Sequence, residues 1–300
     1  MEQVLLGAVS QGLLWAMMTL GVYITYRVLG IADMTAEGSL TMGAAVAAGT
    51  ISGGGSAYVG VAIAVLAGAL AGMMTGLLHT KLRIPALLSG ILTMIALYSI
   101  NLRIMGAANI SLLRKITVFA PVQELMGTSK TLSVILLGAV CSILLVTVLY
   151  WFFGTEIGSA IRATGTNPHM VRAQGINTDT TIILGLMISN ALISFSGSLI
   201  SQAQNFADLQ MGTGAIVIGL ASLIIGEVLF GQRHFYTRLL SMALGAITYR
   251  IIIALVLKMG MPSDDLKLFT AITVALALSL PRFRELGRTL KKSLRREGAR

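Results

Sequence analysis

Nine apolar segments follow one another along the chain, separated by shorter polar stretches. A helix needs about 20 apolar residues to cross a bilayer, and most of the segments approach that length, whereas the second, seventh and ninth are shorter. We therefore expect an all-α polytopic membrane protein with about nine transmembrane helices, within a range of 8–10, some of them short, broken or partly re-entrant. The segments are 4–25, 39–52, 58–79, 85–105, 131–153, 180–203, 214–230, 237–257 and 266–281.

The amino-acid composition excludes a soluble enzyme. Of the 300 residues, 55% are hydrophobic and 11% are charged, whereas about 25% of residues are charged in soluble globular chains. Glycine is frequent, at 33 residues, and glycine lets membrane helices approach one another closely. The single cysteine, Cys141, lies in an apolar run and has no second cysteine with which to form a disulfide within the chain.

Lysine and arginine residues are distributed unevenly between alternate loops. If the N-terminus lies outside and nine segments alternate, fifteen of these residues lie in or beside the inner loops and the tail, and five lie outside. Cytoplasmic loops carry the excess of positive charge, so we expect the C-terminus in the cytoplasm. Residues 1–281 then form one transmembrane domain, and residues 282–300 form a basic cytoplasmic tail. This tail carries most of the net charge of +10, so we expect no nucleic-acid partner.

The long inner loop, residues 154–179, contains the signals of a short helix. Asn167 suits an N-cap, Pro168 suits the first helical position, and Gly175 suits the C-terminal cap. The spacing predicts a helix from Pro168 to Gln174 on the cytoplasmic face. Because such a capped helix is more than a connector requires, we favour a docking element.

Two stretches of the chain are similar to each other: IADMTAEGSLTMGAA at 31–45 and FADLQMGTGAIVIGLA at 206–221. In the expected topology Asp33 lies on the inside and Asp208 on the outside. Similar sequences with opposite orientation are typical of an inverted repeat, although two Ala-Asp pairs can also arise by chance. The pattern favours an inverted repeat with two helices that begin after these aspartates.

The sixth apolar segment carries polar side chains on one helical face. These side chains either line a translocation path or form hydrogen bonds and packing contacts with neighbouring helices. The sequence favours neither interpretation over the other. In the first interpretation, Asp33 and Asp208 complete the path. The polar residues of the segment are Asn190, Ser194, Ser198, Ser201 and Gln202.

Three ionisable residues fall within apolar segments, namely Arg103, Glu227 and Arg250. Charge inside a membrane is costly and faces protein or water. Glu227 and Arg250 lie on neighbouring segments, so we favour a structural ion pair between them. The alternative is that Glu227 is a proton-coupling carboxylate.

The sequence has no ATP-binding motif and no pattern of metal ligands. The nearest approach to a P-loop is Lys130-Thr131, where Glu124 and Ser129 stand at positions that require glycine. The three histidines lack the spacing of a metal site. We therefore expect a chain that is not an enzyme and holds no metal or cofactor of its own.

Four segments make the chain resemble a known family. They read RVLGIADMTAEGSLTMGAA (27–45), LLSGILTMIALYSINLRIMGAANISLL (87–113), IGSAIRATGTNPHMVRAQGIN (157–177) and FADLQMGTGAIVIGLASLIIGE (206–227). The chain resembles the permease subunit of bacterial ABC importers, in the branched-chain amino acid and ribose permease superfamily. It is most similar there to permeases paired with tryptophan- or tyrosine-type binding lipoproteins. The resemblance covers nearly the whole chain, although Ala36 and Glu37 replace an expected Val and Asp.

The resemblance implies that residues 157–177 dock on a separate ATPase, which would bind ATP and Mg. It also implies a second copy of the permease, two ATPase subunits, an extracytoplasmic solute-binding protein and a place in the bacterial inner membrane. The residues that would shape the coupling helix are Gly165, Asn167, Pro168, Arg172 and Gly175.

The function implied by this resemblance is passage of a small solute into the cytoplasm. An aromatic or other hydrophobic amino acid is the expected solute. Helix N-termini near residues 38 and 213 would direct partial positive charge toward the path, which would suit the carboxylate of an amino acid. The alternative function is an ion-coupled secondary transporter that uses Glu227.

Overall fold

The computed structural model describes residues 2–127, 129–231 and 234–258, together with Leu268, Ala271 and Ile272. Within this part of the chain, α-helices follow one another and two short strands interrupt them. The first helices are α1 (Glu2–Tyr23), α2 (Thr35–Ser52), α3 (Ala57–Thr80), α4 (Ala86–Met105), α5 (Ala120–Met126) and α6 (Lys130–Gly154). The others are α7 (Glu156–Thr166), α8 (Pro168–Ala173), α9 (Thr178–Gln204), α10 (Ala215–Phe230) and α11 (Phe235–Lys258). The strands are β1 (Asn109–Ser111) and β2 (Phe206–Asp208).

Six of the described helical segments are long and apolar enough to cross a membrane. They are α1 with its π-helical continuation Ile24–Leu29, α3, α4, α6, α9 and α11. The helices α2 and α10 are shorter, at 18 and 16 residues. These helices confirm the all-helical polytopic prediction and the shortness of the second and seventh segments. Apart from Leu268, Ala271 and Ile272, the ninth predicted segment and the tail 282–300 lie outside the described residues.

Helix α9 lies at the centre of the bundle and packs against α1, α2 and α3. Glycines bring these helices into backbone contact. A Cβ atom on Gly72 of α3 would lie 2.2 Å from the carbonyl oxygen of Leu186, and one on Gly43 of α2 would lie 1.9 Å from that of Ser194. Any side chain at these positions would separate the helices. On the other side of the bundle, α1 packs against α6, α10 and α11.

The bundle has two ends that carry different structures. At the α8 end, α7 and α8 connect α6 to α9. At the ribbon end, β1 and β2 form an antiparallel pair with Ile110 opposite Ala207. This ribbon is absent from the elements predicted above, because strands of three residues are too short to show an alternating pattern.

The short helices α2 and α10 begin side by side within the bundle and run toward opposite ends. The α2 entry lies at mid-depth, since Asp33 bonds to Asn190, about 18 Å along α9 from its first residue. The N-terminus of α10 lies against the first turn of α2, where the backbone N–H of Gly214 donates to Glu37 over 3.0 Å. Chain segments therefore enter the bundle from both ends and meet in the middle, which is the geometry that an inverted repeat produces.

The segment 26–38, predicted as an inner loop, is instead mostly helical or buried. The π-helix continues α1 to Leu29, Gly30 adopts a φ of 69°, and the chain then turns back into the bundle toward Thr35. Residues 31–34 thus form a short re-entrant connection. The hydrophobic pattern does not predict this connection, because Asp33 and Thr35 are polar and polar residues indicate a solvent-exposed loop. In the structure both residues are buried.

Candidate functional site

A cleft of about 380 Å³ opens on the side of the bundle. It lies between the first turns of α2, residues 94–101 of α4 and the connection 209–213 that leads into α10. Met94, Ile95 and Leu209 supply apolar walls. The polar and aromatic groups of the lining are Glu37, Thr41, Tyr98, Ser99, Asn101 and Thr213. No Lys, Arg or His occurs among the described residues that line this cleft.

The carboxylate of Glu37 lines the cleft and caps α10. Its Oε1 atom accepts the backbone N–H of Gly214 over 3.0 Å. Glycine is required nearby, because a Cβ atom on Gly212 would lie 2.1 Å from the carbonyl oxygen of Glu37. A carboxylate at a helix N-terminus is stabilised by the free N–H groups and by the helix dipole. Glu37 lies within the segment 27–45 that carries the family resemblance, but nothing in the sequence indicates Gly214 as its partner.

The amide of Asn101 is buried at the edge of the same cleft, with 1% of its surface exposed. Its Nδ2 atom donates to the carbonyl oxygen of Gly38 over 3.2 Å, but its Oδ1 atom has no hydrogen-bond partner among the described residues. A buried amide oxygen without a partner costs about 1–3 kcal/mol. A residue of the cleft lining therefore carries a buried acceptor without a donor among the described residues.

Asp33 and Asn190 form a second, fully buried polar cluster behind the cleft. The Asn190 Nδ2 atom donates to Asp33 Oδ2, and Ser39 Oγ donates to Asn190 Oδ1, both over 2.7 Å. The other carboxylate oxygen of Asp33 accepts the backbone N–H of Thr35 over 2.9 Å. Asp33 thus caps α2 in the way that Glu37 caps α10.

The predicted use of helix N-termini for a substrate carboxylate is wrong in this arrangement. The helix expected near residue 38 begins at Thr35, and its N-terminus is occupied by Asp33. The N-terminus near residue 213 is occupied by Glu37. Each partial positive charge already faces a carboxylate of the chain, so a substrate carboxylate would meet like charge.

The polar stripe of α9 is buried and bonded within the chain. Ser194 Oγ donates to the carbonyl oxygen of Ala64 in α3 over 2.7 Å, and Gln202 Oε1 accepts the backbone N–H of Val118 over 2.9 Å. Ser198 and Ser201 donate to carbonyl oxygens of α9 itself. This arrangement favours the packing interpretation, and the use of these residues as a path lining stays a prediction.

Asp208 lies apart from Asp33, at the ribbon end of the bundle. Its carboxylate accepts the side chain of Asn109 over 3.4 Å and the backbone N–H of Gln210 over 2.8 Å. The structure therefore brings Asp33 to the α9 stripe and leaves Asp208 at the mouth of the re-entrant connection before α10.

The predicted ion pair between Glu227 and Arg250 is wrong. Glu227 pairs with Arg27, whose Nε atom donates to Glu227 Oε1 over 2.8 Å. Arg250 stacks on the ring of Trp15, with 4.1 Å from its guanidinium carbon to the ring centroid. Because Glu227 lies in the last turn of α10 and Arg250 lies about 22 Å along α11, the two are at different depths of antiparallel helices. Sequence reasoning missed Arg27 because it assigned this residue to a loop.

The predicted helix in the loop 154–179 is confirmed as α8. Asn167 Oδ1 accepts the backbone N–H of Met170 over 3.1 Å, Pro168 occupies the first turn, and Gly175 has a φ of 83°. The helix ends at Ala173, one residue before the predicted end. Gly175 needs this conformation because a side chain with positive φ would be strained.

Helix α7 precedes α8 and was not predicted. A Cβ atom on Gly165 at its end would lie 1.8 Å from the carbonyl oxygen of Val28, so α7 rests directly on the π-helical end of α1. Arg172 of α8 donates from Nε to Thr178 Oγ1 over 2.5 Å, which ties α8 to the first turn of α9. The exposed residues of α8 include Met170, whereas Val171 is fully buried. The α7–α8 unit is thus fixed to two long helices and presents one free surface.

Comparison with known proteins gives consistent matches over nearly the whole chain. The family model described as branched-chain amino acid transport system / permease component matches residues 4–279. A tyrosine transport system permease protein of Clostridioides difficile (strain R20291) is 42% identical over 270 residues, which are 90% of this chain and 88% of that protein. An uncharacterized protein of Rickettsia prowazekii (strain Madrid E) is 32% identical over 280 residues, 92% of this chain and 97% of that protein.

A more distant similarity extends to another transport system. The autoinducer 2 import system permease protein LsrC of Yersinia pestis (strain Pestoides F) is 26% identical over 207 residues, which are 63% of this chain and 56% of that protein. No solved structure matches the chain.

Proposed function

The chain belongs to the branched-chain amino acid transport system permease family, and from this membership we propose that it is the transmembrane subunit of an ATP-driven importer for an amino acid. The family and its relatives are permease subunits of transport systems. An aromatic amino acid is the solute supported by the name of the tyrosine transport permease, which is 42% identical. Import would require two ATPase subunits that bind ATP and Mg, and a solute-binding protein outside the cytoplasmic membrane.

The observation that carries this proposal is the α7–α8 unit. Its start and stop are fixed by Asn167 and Gly175, and Arg172 and Gly165 anchor it to α9 and α1. A rigid unit anchored to two long helices can transmit the movement of a bound partner to the bundle. We infer that the α8 end faces the cytoplasm and docks on the ATPase.

The solute would pass along the side of the bundle that contains the cleft. A carboxylate in a cleft that opens sideways is costly against lipid, so we propose that a second copy of this chain covers Glu37 and forms the opposite wall of the path. Asn190 and Ser194 would line the path when α2 moves away from α9, because here their polar atoms bond within the chain. Asp33 would move with α2.

The alternative, a secondary transporter that uses Glu227, is less consistent with the contacts of this residue. Both carboxylate oxygens of Glu227 accept hydrogen bonds from Arg27. The Glu227 side chain is nearly buried beside this guanidinium, so it has no free oxygen directed at a water-filled path. The pair therefore has the character of a structural contact.

Purification with the genomic neighbours tests the proposal. We expect an ATPase to co-purify with the chain, and the complex in proteoliposomes to take up L-tyrosine when ATP and the binding protein are supplied. Met170→Asp, on the exposed surface of α8, should abolish co-purification of the ATPase. Leu125→Asp, at a residue of α5 that is 88% exposed at the ribbon end, is the matched control and should leave it unchanged. Uptake driven by an ion gradient without ATP would contradict the proposal.

A further inference from the structure

The cleft between α2 and α4 has the chemistry of a binding site for a positively charged group. We propose that it binds the ammonium group of the transported amino acid, with the carboxylate of Glu37 and the amide oxygen of Asn101 as acceptors. This inference rests on the proposed function and adds to it which end of the solute the chain itself recognises.

The charge of the cleft is the first argument. Glu37 is the one acidic or basic residue among its described lining residues. The dipole of α10 contributes roughly half a positive charge at its N-terminus, which is less than the full negative charge of an ionised carboxylate. The carboxylate accepts the backbone N–H of Gly214, directly before α10, but two oxygens offer about four lone-pair positions. Glu37 can therefore cap α10 and still accept a donor from the cleft.

The unpaired oxygen of Asn101 is the second, independent argument. It is buried on a residue that lines the cleft, and it has no donor among the described residues. A small shift of the Asn101 side chain would expose it to the cleft. The other end of the same amide is held by the carbonyl oxygen of Gly38, which fixes its orientation. An ammonium group has three N–H donors and could donate to both the Glu37 carboxylate and the Asn101 oxygen, whereas an ionised carboxylate has only acceptors and could bond to neither of these oxygens.

The remaining lining suits the rest of an amino acid. Met94, Ile95 and Leu209 form apolar walls, and the ring of Tyr98 is 53% exposed beside them. These groups would contact a hydrophobic or aromatic side chain. A volume of about 380 Å³ lies within the range of small-molecule sites. The hydroxyl groups of Ser99 and Thr213 are exposed at the rim and could donate to the solute carboxylate.

The test uses the purified permease–ATPase complex in nanodiscs without the binding protein, so that the selectivity of the binding protein does not contribute. Tritiated L-tyrosine is the probe. Tyramine keeps the ammonium group and lacks the carboxylate, whereas 3-(4-hydroxyphenyl)propionate keeps the carboxylate and lacks the ammonium group. We expect tyramine to displace the probe at a concentration at least about tenfold lower than the propionate. A tenfold difference in affinity is what one charge-assisted hydrogen bond contributes.

Three variants separate charge from structure. Glu37→Gln keeps an oxygen that can cap Gly214 but removes the charge, so we expect about tenfold weaker L-tyrosine binding and loss of the preference for tyramine. Glu37→Asp keeps the charge and should retain the preference. Glu124→Gln removes an exposed carboxylate of α5 outside the cleft and should bind as the wild type does.

The possible results distinguish this inference from the proposed function. Equal displacement by the two competitors in the wild-type complex, or unchanged selectivity in Glu37→Gln, overturns the inference. So does a wild-type complex that imports L-tyrosine with its binding protein but binds none without it, and in that case the proposed function stands. Failure of ATP-driven uptake by the wild-type complex overturns the proposed function and this inference together.

Discussion

Arg27 and Glu227 join the π-helical end of α1 to the last turn of α10 through two hydrogen bonds between their side chains. Glu227 is nearly buried and Arg27 is about half exposed. The pair fixes the C-terminal end of α10, and Glu37 fixes the N-terminal end of the same helix. Helix α10 is thus held at both ends by carboxylates that interact across long sequence separations.

Breaking this pair should reduce stability and leave the driving force of transport unchanged. Glu227→Gln removes the charge and one acceptor, and we expect a loss of about 1 kcal/mol, because Arg27 remains accessible to water. Thermal unfolding in detergent measures the effect. The double variant Arg27→Gln/Glu227→Gln should cost less than the sum of the single variants. Loss of uptake with unchanged stability would instead favour the proton-coupling alternative.

The contact between α2 and α9 should tolerate no side chain at Gly43. A Cβ atom there would lie 1.9 Å from the carbonyl oxygen of Ser194, so Gly43→Ala forces the helices apart at a cost of about 1–3 kcal/mol. Gly7→Ala in α1 is the matched control, because no atom lies within 4 Å of the added methyl group. Equal melting temperatures for the two variants would show that α2 and α9 do not make this contact.

The serines of α9 should differ according to the helix that accepts their hydrogen bond. Ser194 donates to α3, whereas Ser198 donates to its own helix. If the stripe only packs helices, Ser194→Ala should destabilise the protein by about 1 kcal/mol and Ser198→Ala should have less effect. If both residues line the path, uptake should change in both variants beyond what their melting temperatures explain. Parallel measurement of stability and uptake decides between these interpretations.

Replacement of Asn190 should have a larger effect than replacement of either serine. Asn190→Leu leaves the Asp33 carboxylate and the Ser39 hydroxyl without their partner in a buried site. We expect a loss of at least about 2 kcal/mol, together with loss of uptake. A variant with wild-type stability that fails to transport would instead indicate that Asn190 lines the path. Full uptake would exclude both roles.

The caps of α8 should control coupling and leave membrane insertion unchanged. Asn167→Ala removes the bond to the N–H of Met170, and Gly175→Ala strains a residue with a φ of 83°. Each change costs on the order of 1 kcal/mol in the local helix. We expect ATP hydrolysis by the complex to continue while substrate-stimulated uptake falls. Ser159→Ala, on the exposed surface of α7, is the control, and unchanged coupling in both cap variants would contradict the prediction.

The features predicted from the sequence are those that local patterns determine. Apolar segments of spanning length gave the helical membrane fold, and Asn167, Pro168 and Gly175 gave α8, because capping depends on residues within one or two turns. The similarity between residues 31–45 and 206–221 located the two short helices. That they begin at the same depth in the bundle is shown only by the contact of Glu37 with Gly214.

The missed features depend on contacts between distant residues. The sequence predicts an ion pair between Glu227 and Arg250, which lie on neighbouring apolar segments. The actual partner of Glu227 is Arg27, which lies 200 residues away in the sequence. No local signal connects Asn101 with Gly38, or Asp33 with Asn190. These contacts form where helices cross, and one sequence without its fold does not indicate which residues meet there.

The ribbon of β1 and β2 joins the loop after α4 to the loop after α9. Beyond the strands, the N–H of Leu112 bonds to the carbonyl oxygen of Asn205 over 2.8 Å, and that of Leu209 bonds to the carbonyl oxygen of Ala108 over 2.9 Å. A displacement of the loop after α4 would therefore also move β2, and only the six residues 209–214 separate β2 from α10. Through this connection, a partner bound at the ribbon end could displace Gly214 from Glu37 without contacting either residue.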